Sequence, residues 1–119
     1  MDMIKRKWKS LMAAANGIYL MRTENHFGLI LLGVIPLGIM FFYFPTTAAE
    51  KAIFFLASSI PLGLEMVNTA IEHLADKVDK QYDELIKNCK DLAAGSVLFS
   101  TIIGLIVAAI LLMPYLLSY

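Results

Sequence analysis

The 119-residue sequence has a single cysteine, Cys89, and no net formal charge. One thiol cannot close an intrachain disulfide, and no Cys/His ligand spacing for zinc is present. Cys89 sits in a charged stretch, where a solvent-facing thiol with a plain structural role is expected. Balanced charge gives no global attraction to nucleic acid, and no nucleic-acid partner is expected. Glycine-rich, serine-rich and repeated segments are missing, so residues 1–119 read as one domain without linkers. A P-loop pattern and a glycine-rich kinase loop are also missing, so any nucleotide site must be built in another way. The N-terminus is basic, but residues 3–22 mix polar with apolar side chains, which argues against a signal peptide.

Charge is also what the long apolar stretches lack. Apolar residues make up 59 % of the chain and charged ones 17 %, against about 45–50 % and about 25 % in ordinary globular proteins. The charges are confined to 2–9, 22–24, 50–51 and 65–91. Between them, Phe27 to Phe44 carries none, which is close to the ~20 residues that cross ~30 Å of hydrocarbon. The run ends in Phe41, Phe42, Tyr43 and Phe44, aromatics suited to a membrane interface. Pro45 then stops the helix, and Thr46-Thr47 offer a cap for the next. Residues 52–64 are uncharged and the helical pattern continues to about 78. Leu92 to Met113 is a third uncharged run, with Pro114 expected to end it. Gly95, Ser96, Ser100 and Gly104 are small residues suited to close helix contact in lipid.

Ahead of these runs, Ile4, Trp8, Leu11, Met12 and Ala15 recur at helical spacing, with Lys5, Arg6, Lys7 and Lys9 on the remaining surface. A basic amphipathic helix with Trp and Leu on one face is expected to lie in a membrane interface. The predicted architecture is therefore an all-α membrane protein: a surface helix over about 3–22 and transmembrane helices over about 27–44, 50–75 and 92–114. Lys and Arg concentrate in the N-terminal segment (Lys5, Arg6, Lys7, Lys9, Arg22) and in 76–91 (Lys77, Lys80, Lys87, Lys90). Lys51 alone lies between the first two spans. The positive-inside bias thus places the N-terminus and the 76–91 loop in the cytoplasm and the C-terminus outside.

The second span holds Glu65, Asn68, Glu72 and Asp76. At about 100° per residue the three carboxylates fall within about 40° of one another, and Asn68 lies about 60° from Glu65. Counted from Lys51 at ~1.5 Å per residue, Glu65 is ~21 Å along the helix and Glu72 ~31 Å, near the cytoplasmic headgroups. Glu72 and Asp76 could be only the polar end of a helix, and Asn68 only interhelical glue. Glu65 is different, because an ionised group inside a span is costly and usually marks function. Carboxylates at headgroup level suit Mg²⁺, which takes oxygen ligands and substrate phosphates. A deeper carboxylate could accept a proton from a lipid hydroxyl, and Lys90 offers positive charge for phosphate. His26 and His73 flank the charged zone and are expected to be interface polar residues rather than catalysts. A non-enzymatic channel or transporter subunit, with Glu65 in ion passage, is the alternative of another class. The carboxylates, however, gather towards one leaflet and the other spans supply no polar stripe.

The string Glu65-Met-Val-Asn68-Thr69-Ala70-Ile71-Glu72-His-Leu-Ala-Asp76 resembles the E-x-x-N-[ST]-A-I-E-x-x-x-D signature of the prokaryotic diacylglycerol kinase family. Tyr82-Asp83-Glu84-Leu85 and Lys90-Asp91-Leu-Ala-Ala-Gly95-Ser96 resemble that family's loop and third span, and the likeness covers roughly residues 3–115. It implies a homotrimeric bundle in the bacterial inner membrane that phosphorylates diacylglycerol from ATP with Mg²⁺. Undecaprenol kinase, of the same family, is the alternative. By position, the resemblance implies Glu65 as general base and Glu24 and Glu72 as metal ligands, Glu24 through the E-x-x-F of Glu24-Asn25-His26-Phe27. It implies ATP contacts from Asp76, Gln81, Tyr82, Asp83, Lys90 and Asp91, and a supporting role for Asn68.

Overall fold

The computed structural model describes residues 2–78 and 83–118. The described residues form four α-helices: α1 (Met3–Leu20), α2 (Asn25–Tyr43), α3 (Ala48–Val78) and α4 (Glu84–Leu117). A 3₁₀ turn, Met21–Thr23, joins the first two. Three of the four, α2, α3 and α4, are long and apolar enough to cross a membrane. The molecule extends 54 × 43 × 21 Å.

Local chemistry sets the ends. Asp2 caps α1, its carboxylate accepting from the Ile4 N–H at 3.3 Å. Thr47 and Glu50 form a capping box before α3: Glu50 N donates to Thr47 Oγ1 at 3.1 Å and Thr47 N to Glu50 Oε1 at 3.0 Å. The sequence offered this cap. It did not reveal the start of α4, which lies about two turns ahead of Leu92 because Asp83 caps it, accepting from Leu85 N and Ile86 N at 2.9 and 3.2 Å. Most of the expected 76–91 loop is thus helical: α3 runs on to Val78 and α4 opens at Glu84. Pro114 does not end the third span either, since α4 continues to Leu117. A proline removes one intrahelical bond, a loss that spanning helices tolerate when the freed carbonyl finds other contacts. Pro61 inside α3 shows how. The Ala57 carbonyl that it deprives of a donor lies 3.6 Å from where a Cβ on Gly104 would sit, so α4 packs backbone to backbone at that point. Gly104 is half-buried there and Ser100 buried, whereas Gly95 faces outward.

The α3–α4 pair is the most extensive contact and α2 leans on α3. The apolar core lies at the α2–α3 turn. Phe41 is fully buried and stacks on Phe54 at 4.6 Å, with Phe44, Ala108 and Leu112 around them. Tyr115 closes this end, donating to Glu50 Oε1 at 2.6 Å and so tying the end of α4 to the start of α3. By contrast α1 buries none of its residues. Ile4, Trp8, Leu11 and Met12 remain exposed, the arrangement expected of a helix whose apolar stripe faces lipid rather than a protein core.

Candidate active site

One stripe of α3 turns inward along its length, and its chemistry changes halfway. Phe54 and Pro61 are buried in the half nearest the aromatic core, and Glu65, Asn68 and Thr69 in the other half. Glu65 is 4 % exposed and Asn68 3 %. Glu72 follows half-buried and Asp76 exposed. The stripe that helical spacing predicts is therefore an inward face at Glu65 and emerges into the open by Asp76.

Asn68 engages one of these groups. Its Nδ2 donates to Glu72 Oε1 at 3.2 Å, holding that carboxylate along the helix. Its Oδ1 is buried without a hydrogen-bond partner among the described residues. A buried amide oxygen left so costs about 1–3 kcal/mol, which a ligand or an ordered water can recover.

The start of α2 packs against this stripe. Glu24 is the residue before α2, but its side chain does not cap its own helix. It points instead across to α3, where Glu24 Oε1 lies 4.0 Å from His73 Nε2, beside Glu72 in the chain. It does not pair with Arg22, which stacks on Tyr19 and donates to the Tyr19 hydroxyl at 2.7 Å. One residue beyond Asn25, His26 Nδ1 lies 3.6 Å from Glu65 Oε1. The two histidines, expected to be bystanders at the interface, thus each face a carboxylate of the stripe. Spacing along one helix cannot report this, because it depends on how α2 and α3 align.

At the outer edge of the site, Lys90 Nζ donates to Asp76 Oδ1 at 3.0 Å, bridging α3 and α4. Asp91 does not engage Lys90 but accepts from Lys87 one turn earlier at 2.6 Å. Asp83 is occupied in capping α4. Gln81 and Tyr82 lie outside the described residues. Cys89 is exposed and free.

Among the described residues no group of three His, Cys, Asp or Glu side chains is close enough to hold a metal ion by itself. Mg²⁺ seldom needs such a cage: one or two carboxylates, substrate phosphates and waters suffice. Glu24, Glu72 and Asn68 each carry oxygen donors of the type that ion takes.

Residues 12–112 match the family described as prokaryotic diacylglycerol kinase. An undecaprenol kinase of Bacillus subtilis is 32 % identical over 112 residues, covering 93 % of this chain and 91 % of the relative. A diacylglycerol kinase of Synechocystis is 46 % identical over 72 residues, covering 60 % of this chain and 41 % of the relative. A buried acidic stripe in a spanning helix and a match along most of the sequence lead to one conclusion: the chain belongs to the prokaryotic diacylglycerol kinase family of membrane lipid kinases.

Proposed function

We propose that the chain transfers the γ-phosphate of ATP to the hydroxyl of diacylglycerol, with Glu65 as general base. The observation that carries this reading is the buried Glu65–Asn68 pair on a spanning helix, continuous with Glu72 and Asp76 towards Lys90. Glu65 takes the hydroxyl proton as the alcohol oxygen bonds to the γ-phosphorus. The bond to the bridging oxygen breaks and ADP leaves. Lys90 neutralises phosphate charge, exchanging its Asp76 partner for the nucleotide, and Asp76, Gln81, Tyr82, Asp83 and Asp91 surround the nucleotide. Glu24 and Glu72 are the residues that would hold Mg²⁺, which would supply positive charge to offset that of the nucleotide phosphates. Asn68 keeps Glu72 in place through its amide N–H.

An apolar cleft of about 310 Å³ between α2, α3 and α4 begins at Pro61, one turn from Glu65, and is lined by Leu29, Gly33, Val34 and Gly104. It suits the hydrocarbon part of a lipid whose hydroxyl meets Glu65. The protein works as a homotrimer in the bacterial inner membrane, with the α3–α4 end of the site in the cytoplasm where ATP is found.

A second reading takes a polyisoprenol such as undecaprenol as the alcohol. It is favoured by the relative of that name matching nearly the whole chain. Both substrates present one hydroxyl at the headgroup level, so the acidic stripe serves either. Purified protein incubated with labelled ATP, Mg²⁺ and each lipid alcohol in turn separates them. Label in phosphatidic acid supports the first reading and label only in the polyisoprenyl phosphate the second. Label in neither removes the kinase assignment.

A further inference from the structure

A carboxylate with 5 % of its side chain exposed, in a helix that crosses a membrane, needs a polar partner. Among the described residues no side-chain hydrogen bond reaches the Glu65 carboxylate, and the side chain paired with it is His26, Nδ1 to Oε1 at 3.6 Å. The imidazole itself is 69 % exposed, so it stands between the buried acid and the outside.

We propose that His26 is a positioning residue for Glu65. Its Nδ1–H donates to Glu65 Oε1 and leaves the other carboxylate oxygen facing the lipid hydroxyl. The inference rests on Glu65 being the base. The separation is roughly 0.6 Å longer than an ordinary N–H···O bond. Such contacts are often long before substrate binds and tighten in the reacting complex. The backbone there can supply the adjustment: His26 is in the first turn of α2, just after Glu24 in extended conformation (φ −84, ψ 124) and a 3₁₀ turn. Without the donor, a carboxylate in a loosely filled polar pocket can rotate, and the proton acceptor is then misaligned at the moment of attack. The cost falls on turnover rather than on binding, because among the described residues the ion pair of His26 is with Glu65.

Three substitutions separate a donor from a packing role. Asn places its Nδ2 close to where the imidazole has Nδ1, Phe keeps the ring without a donor, and Ala removes both. The assay is kcat and KM for ATP and lipid alcohol, with thermal stability in detergent. Losing a partner that orients a reacting group typically costs about 10–100-fold in activity. His26→Phe and His26→Ala should lose that much in kcat with KM for ATP unchanged, and His26→Asn should recover most of it. In a Glu65→Gln background, His26→Phe should cost nothing further. Wild-type turnover in His26→Phe overturns the proposal, as does an Asn variant as slow as Phe or an undiminished His26 effect in the Glu65→Gln background. Activity losses that follow thermal stability across the three variants assign His26 to packing instead. Near-normal turnover of Glu65→Gln alone removes the general-base reading itself, whereas an inactive Glu65→Gln beside a fully active His26→Phe rejects only the role of His26.

Discussion

Glu65→Gln deletes a proton acceptor while keeping the side chain's volume, so it separates chemistry from packing. A general base contributes typically about 10²–10⁴ in rate, and kcat should fall by that amount with ATP affinity little changed. Because Glu65 is 4 % exposed in a spanning helix, loss of its charge should leave the protein no less stable. Lipid phosphorylation measured beside ATP binding and thermal unfolding checks all three, and a joint collapse of stability and activity would assign Glu65 to structure. Glu72→Gln tests the metal. The amide can still accept from Asn68 Nδ2, so the local hydrogen bond persists, but a hard cation loses a charged ligand. The Mg²⁺ concentration for half-maximal rate should rise, or turnover should vanish. Normal rates at low Mg²⁺ remove Glu72 from the metal site.

The helices are fastened to one another differently at their two ends. At the aromatic end the Tyr115 hydroxyl donates to Glu50, and Glu50 also closes the capping box of α3. A hydrogen bond to a charged group is stronger than one between neutral groups. Tyr115→Phe removes it with almost no change in shape, and should lower the unfolding midpoint in detergent while leaving KM for ATP unchanged. A fall in ATP affinity would show that the two ends are coupled. At the other end α3 and α4 are joined by the Asp76–Lys90 contact, in which Asp76 is largely exposed. Exposed pairs contribute little to stability, usually below about 1 kcal/mol. That end is therefore held loosely enough for the proposed exchange of Asp76 for a nucleotide phosphate at Lys90. The element boundaries follow similar local rules. An uncharged run delimits a span but not its helix, so α4 starts ahead of Leu92 at the Asp83 cap, and it passes Pro114 because a proline ends helices more reliably in water than in lipid.

Across the whole molecule the long helices exceed the bilayer. At about 1.5 Å per residue, α4 with 34 residues and α3 with 31 reach well beyond ~30 Å of hydrocarbon. The surplus carries Asp76, Lys87, Lys90 and Asp91, a charged platform at the end opposite the Phe41–Phe54 core. Lys77, Lys87 and Lys90 lie at this same end, so the positive-inside rule gives the expectation that it is cytoplasmic. A reporter fused after Leu117 should therefore read out on the outer face of the membrane. A cytoplasmic signal there would reverse the orientation and separate the site from cellular ATP.

Sequence alone was enough for whatever depends on one helix at a time. Runs without charge define spans because an unpaired charge in hydrocarbon is costly. A 3.6-residue period places Glu65, Asn68 and Glu72 on one stripe. Cross-helix pairings were decided only by tertiary packing. That His26 faces Glu65, that His73 rather than Arg22 meets Glu24, and that Lys90 holds Asp76 all depend on the relative slide and rotation of helices. Those displacements are set by the fit of Phe41 on Phe54 and of Gly104 against the Ala57 carbonyl. Such contacts join residues far apart in the chain, and no periodicity within a single helix encodes them.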